Sequence, residues 1–148
     1  MIAAEPTVRE GAPSFYNAAA DLVGRNLPGR AAKMAFIDEQ GSYTYGELAR
    51  RVDRCAGALQ GLGLAAEQRV VLGVVDTIDF PTAFLGAIKS GIVPIPVNTL
   101  FQPLDYAFIL ADSRAKAAIV SAELLPAYEE AARLASWTGQ LVVSDPRG

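Results

Sequence analysis

The sequence predicts an α/β fold, a doubly wound and mainly parallel sheet preceded by a β-hairpin. Three observations carry this expectation. Short, continuous apolar runs at Val70–Val75, Ile92–Asn98 and Ala117–Ser121 read as strands covered on both faces. Segments of helical periodicity alternate with them, as crossover units require. The chain has 148 residues, 51% hydrophobic and 20% charged, which suits one domain with a buried core.

Taken in order, residues 1–13 form a polar, Pro-containing leader, and Ser14 precedes a helix with Phe15, Ala19, Leu22 and Val23 on one side. Pro28-Gly29 stops it. Met34–Asp38 is a short strand, Gln40-Gly41 turns the chain, and Ser42–Thr44 returns as the second arm of a hairpin. Thr44 and Glu47 then form a capping box, each side chain accepting from the other's backbone N–H. The helix behind it carries Leu48, Val52, Cys55, Leu59 and Leu62 at steps of four, three, four and three, with Arg50, Arg51 and Arg54 as a solvated face. After strand Val70–Val75, Asp76 or Thr77 caps the next helix, with Pro81 in its first turn and Gly91 ending it. Ala83, Gly86 and Ser90 allow close backbone approach there. Pro94 and Pro96 each remove a backbone donor, so strand Ile92–Asn98 is expected to be short or irregular. Pro103 opens a helix, Ala117–Ser121 is a strand, Glu123–Ala135 a helix and Leu141–Ser144 a last strand.

Counts exclude several chemistries. Without histidine, an imidazole base or a His metal ligand is impossible within this chain. Cys55 stands alone, so no intrachain disulfide forms, which fits the cytoplasm. It sits on an apolar helix face and reads as a core residue rather than a nucleophile. Thirteen basic residues against sixteen acidic ones give a net charge of −3 with no basic patch, against nucleic-acid binding. No apolar stretch approaches the ~20 residues of a membrane span, and the first residues lack the pattern of a signal peptide.

Gly61-Leu-Gly-Leu-Ala-Ala66 matches a dinucleotide-binding pattern, but it follows a helix and precedes a strand. A pyrophosphate needs the reverse order, with helix N–H groups facing it, so these glycines are expected to end a helix. No Walker A loop occurs. Asp76 and Asp79 lie near the C-terminal end of a strand, where open α/β sheets bind ligands, yet capping explains them more simply.

Residue chemistry alone therefore yields a fold class and no active site, and resemblance adds more. Tyr43-Thr-Tyr-Gly-Glu-Leu48 resembles the first core motif of the AMP-forming adenylating enzymes, which include acyl-CoA synthetases, luciferases and peptide-synthetase adenylation domains. Leu85-Gly-Ala-Ile-Lys-Ser-Gly-Ile-Val-Pro-Ile-Pro-Val-Asn98 resembles the second. Between them, Gly61-Leu-Gly-Leu-Ala-Ala-Glu-Gln-Arg-Val-Val71 is similar to the family's Gly-Asp-containing passage, with Glu67-Gln68 at the Gly-Asp step. Residues 15–27, 76–89 and 96–100 resemble the benzoate-CoA ligase branch.

The resemblance covers about residues 14–148 and implies the incomplete N-terminal portion of the large, AMP-binding domain of an adenylate-forming enzyme. For the full-length parent it implies an aromatic carboxylic acid, ATP, Mg²⁺ and coenzyme A: the acid forms an acyl-adenylate with loss of pyrophosphate, and the CoA thiol then displaces AMP. The family's Ser/Thr/Gly-rich phosphate loop, ribose-binding acid and catalytic lysine have no counterpart here. No catalytic or metal-binding residue is therefore assigned, and no cofactor is expected to bind this chain tightly. One contact is carried over. In related ligases a basic residue at the place of Lys89 faces the nucleotide end of coenzyme A, where an ammonium would meet phosphate. A cation in a helix's last turn accounts for Lys89 equally well. The alternative to an enzyme's scaffold is a self-contained α/β module, nucleotide-binding or purely interacting. For an incomplete portion, strands left without cover are expected to favour self-association, whereas a self-sufficient domain would be monomeric.

Overall fold

The computed structural model describes residues 16–144. Its elements are α1 (Ala18–Gly24), the hairpin β1 (Met34–Asp38) and β2 (Gly41–Thr44), then α2 (Tyr45–Gly61), β3 (Arg69–Gly73), α3 (Asp79–Lys89), β4 (Val93–Pro96), α4 (Pro103–Asp112), β5 (Ala117–Ser121), α5 (Leu125–Leu134) and β6 (Gln140–Ser144), with a 3₁₀ turn at Ala122–Leu124 before α5. The leader, Ser14 and Phe15 lie outside the described residues. Asn17 is the N-cap of α1, its side chain accepting from the Ala20 N–H at 3.0 Å.

Four parallel strands form the main sheet in the order β4-β3-β5-β6, apart from the antiparallel β1–β2 hairpin. Period-two alternation sends successive side chains to opposite faces. Val70, Leu72, Val74, Ala117 and Ile119 pack with Leu59 of α2 and Ala83 and Ala87 of α3. Val71, Ala118 and Val120 pack on the other face with Tyr106 and Leu110 of α4 and Tyr128 and Ala131 of α5. The two-sided cover explains why β3 and β5 read as unbroken apolar runs. A third cluster of Leu48, Val52 and Ile78 ties α2 to Phe36 and Tyr43 of the hairpin.

Gly86 and Gly73 mark close approaches between elements. A Cβ on Gly86 would lie 2.7 Å from Cys55 Sγ, so α3 can settle on α2 only without a side chain there. A Cβ on Gly73 would lie 2.3 Å from Tyr128 Oη, because the phenol ring of α5 fills that place. Tyr128 is fully buried, stacks on Tyr106 at 4.2 Å between centroids, and its hydroxyl has no hydrogen-bond partner among the described residues.

The prolines of β4 resolve simply. The N–H groups of Val93 and Val97 donate to the carbonyls of Gln68 and Leu72 at 2.8 and 3.1 Å. Alternation then points positions 94 and 96 away from β3, so Pro94 and Pro96 delete only outward donors. The strand is short, as expected, and it is regular because it is an edge strand.

The capping box of α2 forms as read, with Glu47 N–H donating to Thr44 Oγ1 at 3.2 Å and Thr44 N–H to Glu47 Oε2 at 2.7 Å. The expected caps of α3 do not. Its N-cap position is Ile78, neither Asp76 nor Thr77 caps it, and the sequence-near candidates lose to a distant one. Asp38 Oδ2, at the end of β1, accepts the Ile78 N–H at 2.8 Å.

Candidate functional site

From β3 the chain steps outward to β4, then returns across β3 to β5. That reversal places the topological switch point at the C-terminal ends of β3 and β5, where open α/β sheets bind ligands. A bond joins the two ends: Val75 N–H donates to Ser121 Oγ at 3.0 Å, making Ser121 a buried and satisfied polar residue. Above it lies an open crevice of about 930 Å³, walled by the hairpin turn (Glu39, Gln40), Arg51 of α2, Thr77 and Glu123.

Among the described residues, the one cation lining the crevice is paired, and Glu39 and Glu123 on its wall add negative charge. Arg51 lies over the Tyr43 ring at 5.0 Å and 3.6 Å from Asp79 Oδ1. The Ser144 hydroxyl donates to Asp79 Oδ2 at 2.5 Å. Arg50 and Arg54 are exposed as expected, whereas Arg51 is half-buried and belongs to the hairpin contact rather than to a solvated face. Asp79 is the first residue of α3 and braces β6, while Asp76 is exposed.

The α3 N-terminus is the natural place for a phosphate, since free N–H groups and the helix dipole attract anions. Here Asp38 already occupies it. Its Oδ1 also accepts from the N–H of Gln40 and Gly41, at 2.8 and 3.0 Å. Partial burial opposes ionisation of this carboxyl, but the three N–H donors and the nearby Arg51 charge hold it below its usual range. A fixed carboxylate at that spot, with Asp79 beside it, repels a polyphosphate. The turn from Val74 to Ile78 contains no glycine to wrap one. These residues therefore do not fit the triphosphate of ATP, and no reaction step is built on them.

The other sequence candidates fall elsewhere. Gly61 ends α2, and Gly63 turns the chain at φ +79°, so the dinucleotide-like pattern is a helix terminus. Cys55 is half-buried against Gly86, and burial, with Asp79 second, pushes its thiol up to about 11, far from a reactive thiolate. Lys89 closes α3 at the end remote from the crevice, its ammonium paired with the Asp53 carboxylate of α2. Asn17 Nδ2 donates to the Ile88 and Lys89 carbonyls, both at 3.0 Å, fastening α1 to that helix end. Sequence reasoning missed Asp38 and Ser121. Asp38 carried a partial signal, since an Asp two residues before Gln40-Gly41 favours an Asx turn.

The profile of the AMP-binding enzyme family matches residues 24–146, most of the chain and both core motifs. The chain belongs to the AMP-binding enzymes. Among relatives, it is 58% identical over 118 residues to the benzoate–CoA ligase of Thauera aromatica, covering 78% of this chain and 22% of that one. It is 48% identical over 118 residues to the 4-hydroxybenzoate–CoA/benzoate–CoA ligase of Rhodopseudomonas palustris, covering 79% of this chain and 22% of that one. Its fold superposes on a solved benzoate CoA ligase from Burkholderia xenovorans with a TM-score of 0.83 at 43% identity, over 90% of this chain and 27% of that one. The matched region thus spans about a fifth of the curated relatives' length. As an AMP-binding enzyme the chain has the α/β architecture expected of the N-terminal part of that family's large domain. Among the described residues, no helix is long and apolar enough to cross a membrane.

Proposed function

We propose that this chain is the amino-terminal part of an ATP-dependent ligase that joins a benzoate-type aryl acid to coenzyme A through an acyl-adenylate. The observation that carries the reading is the 58% identity to a benzoate–CoA ligase over 118 residues. Residues 1–148 act as scaffold within the large domain: Arg51, the cation of the crevice at the switch point, is paired with Asp79, and the helix terminus there is held by Asp38. ATP, Mg²⁺ and the aryl acid are then bound by segments outside them. Lys89 is the residue proposed to meet a phosphate of coenzyme A. Its exposure supports this, and a phosphate would take the place of Asp53 as its partner. The lone cysteine supports a cytoplasmic location.

A domain exchange tests the reading. Residues 24–146 replace the matching segment of the Thauera ligase, and benzoyl-CoA formation is measured. A folded chimera that forms benzoyl-CoA is expected, while a folded but inactive one overturns the assignment. Residues 1–148 alone are expected to give no acid-dependent exchange of pyrophosphate into ATP, and exchange would overturn the scaffold role.

A further inference from the structure

Lys89 ends α3 but does not cap it. Other groups answer the last four carbonyls of that helix. Ser90 Oγ donates to those of Gly86 and Ala87 at 3.0 and 2.9 Å, and the Gly91 N–H donates to that of Ile88 at 3.0 Å. Asn17 supplies the rest, its Nδ2 donating to the carbonyls of Ile88 and Lys89, both at 3.0 Å. The oxygen of the same amide accepts the Ala20 N–H as the N-cap of α1. One side chain thus closes two helices. The Lys89 ammonium is left to turn sideways, onto the Asp53 carboxylate of α2. Gly86 sets that meeting, since its missing Cβ lets α3 settle against Cys55, on the same helix as Asp53.

We propose that Asn17 is a positioning residue for coenzyme A, acting through Lys89, and that Asp53 is the counter-ion which a CoA phosphate replaces. This rests on the phosphate contact proposed above for Lys89. A lysine in a helix's last turn is drawn back onto its own terminal carbonyls. With those carbonyls held by Asn17 and Ser90, the ammonium gains nothing by turning back and stays available to an anion beside the helix. Asp53 keeps it there in the absence of ligand. A phosphate brings up to about two negative charges and three acceptor oxygens against the single charge of Asp53, so exchange favours the ligand. The three elements involved are held by their own contacts, α1 on α3 through Asn17 and α2 on α3 through Gly86.

The domain exchange, widened to residues 16–146 so that it carries Asn17, tests this through affinity for coenzyme A. Asn17→Ser keeps a capping oxygen for α1 but loses both amide donors. It is expected to raise the KM for coenzyme A several-fold, with kcat and the KM for benzoate unchanged. Asp53→Asn is expected to lower the KM for coenzyme A about two- to five-fold, the worth of an exposed ion pair. In a Lys89→Met background it is expected to change nothing. Equilibrium dialysis with coenzyme A alone, without ATP or acid, is expected to give the same ratios. Repeating it with 3′-dephospho-CoA names the phosphate: a gain that persists assigns the diphosphate, and one that disappears assigns the 3′-phosphate. Equal rises in the KM values for benzoate and coenzyme A in Asn17→Ser overturn the positioning role. An unchanged affinity in Asp53→Asn, or a gain that survives without Lys89, overturns the exchange. A folded chimera that shows these binding ratios but forms no benzoyl-CoA overturns the ligase reading alone, and one that binds no coenzyme A overturns both. Should the chimera fail to fold, the Lys89 side-chain NMR signals of the 148-residue chain are followed as coenzyme A is added. Saturation at a lower concentration in Asp53→Asn is expected, and no shift overturns the proposal.

Discussion

Among the described residues, strands β4 and β6 flank the parallel sheet, and their sequences treat the outward backbone in opposite ways. Both have a row of backbone groups facing away from the sheet. In β4 the outward donors at 94 and 96 are deleted by proline while the inward donors at 93 and 97 are kept. In β6 nothing is deleted, and its outward side is flanked by valine and leucine. The difference teaches that a proline in a strand is read by its phase. One residue's shift decides whether it closes an edge or cuts a ladder.

Moving a proline by one place makes the largest test of that statement. Ile95→Pro puts the missing donor on the ladder side, against β3, which costs about 1–3 kcal/mol for the acceptor left unpaired, with the lost packing of the Ile95 side chain on top. Chemical denaturation is expected to show that loss, and a stability equal to the parent's would mean that phase is irrelevant at this edge. Strand β3, inside the sheet, is constrained by packing instead. Gly73→Ala places a Cβ 2.3 Å from Tyr128 Oη, and the fully buried ring has little freedom to retreat. Overpacking of this kind costs about 1–3 kcal/mol, to be read from the same denaturation midpoint. Tyr128→Phe removes a hydroxyl that lacks a partner among the described residues and lies against Gly73, and is expected to recover part of that loss in the Gly73→Ala background.

How much of this was legible in the sequence follows from the range over which each signal acts. The capping box of Thr44 and Glu47 spans three residues, so its chemistry is written in one stretch, and the structure reproduces it. The covered strands β3 and β5 were legible for the same reason, since burial on both faces shows as an unbroken apolar run. The prolines of β4 predicted a weakened strand without revealing that it lies at an edge, because strand order is set by crossovers rather than by local composition. Asp76 and Thr77 were the sensible local caps for α3, and both lost to Asp38, which arrives from 40 residues away on the hairpin. The crevice was legible only as a position near a strand end. The contacts of Asp79 with Arg51 and Ser144 join three separate elements that no spacing rule connects.

The hairpin's hold on α3 should show in acid. Asp38 is held below its usual range in the folded chain, so its contribution to stability is present above the unfolded carboxylate range. It is lost as the pH falls through the lowered folded value. A pH series of thermal melts is expected to show the parent weakening on the acid side of about pH 4 more steeply than Asp38→Asn. Parallel curves would detach the carboxylate from the cap. At neutral pH, loss of the local cap in Thr44→Ala is expected to cost about 1 kcal/mol, leaving the sheet edges unchanged.

The smallest expected change in stability tests the phase of the β4 prolines from the other side. Pro94 and Pro96 lack donors that would point away from β3, so replacing both by alanine restores N–H groups outside the ladder and leaves the bonds at 93 and 97 as they are. Stability should move by only about 0.5 kcal/mol, the usual range for surface substitutions. The same denaturation series that reads Ile95→Pro decides it. If the double alanine variant loses as much stability as Ile95→Pro, the ring at each position matters more than the donor it removes, and phase does not explain why this strand accepts two prolines.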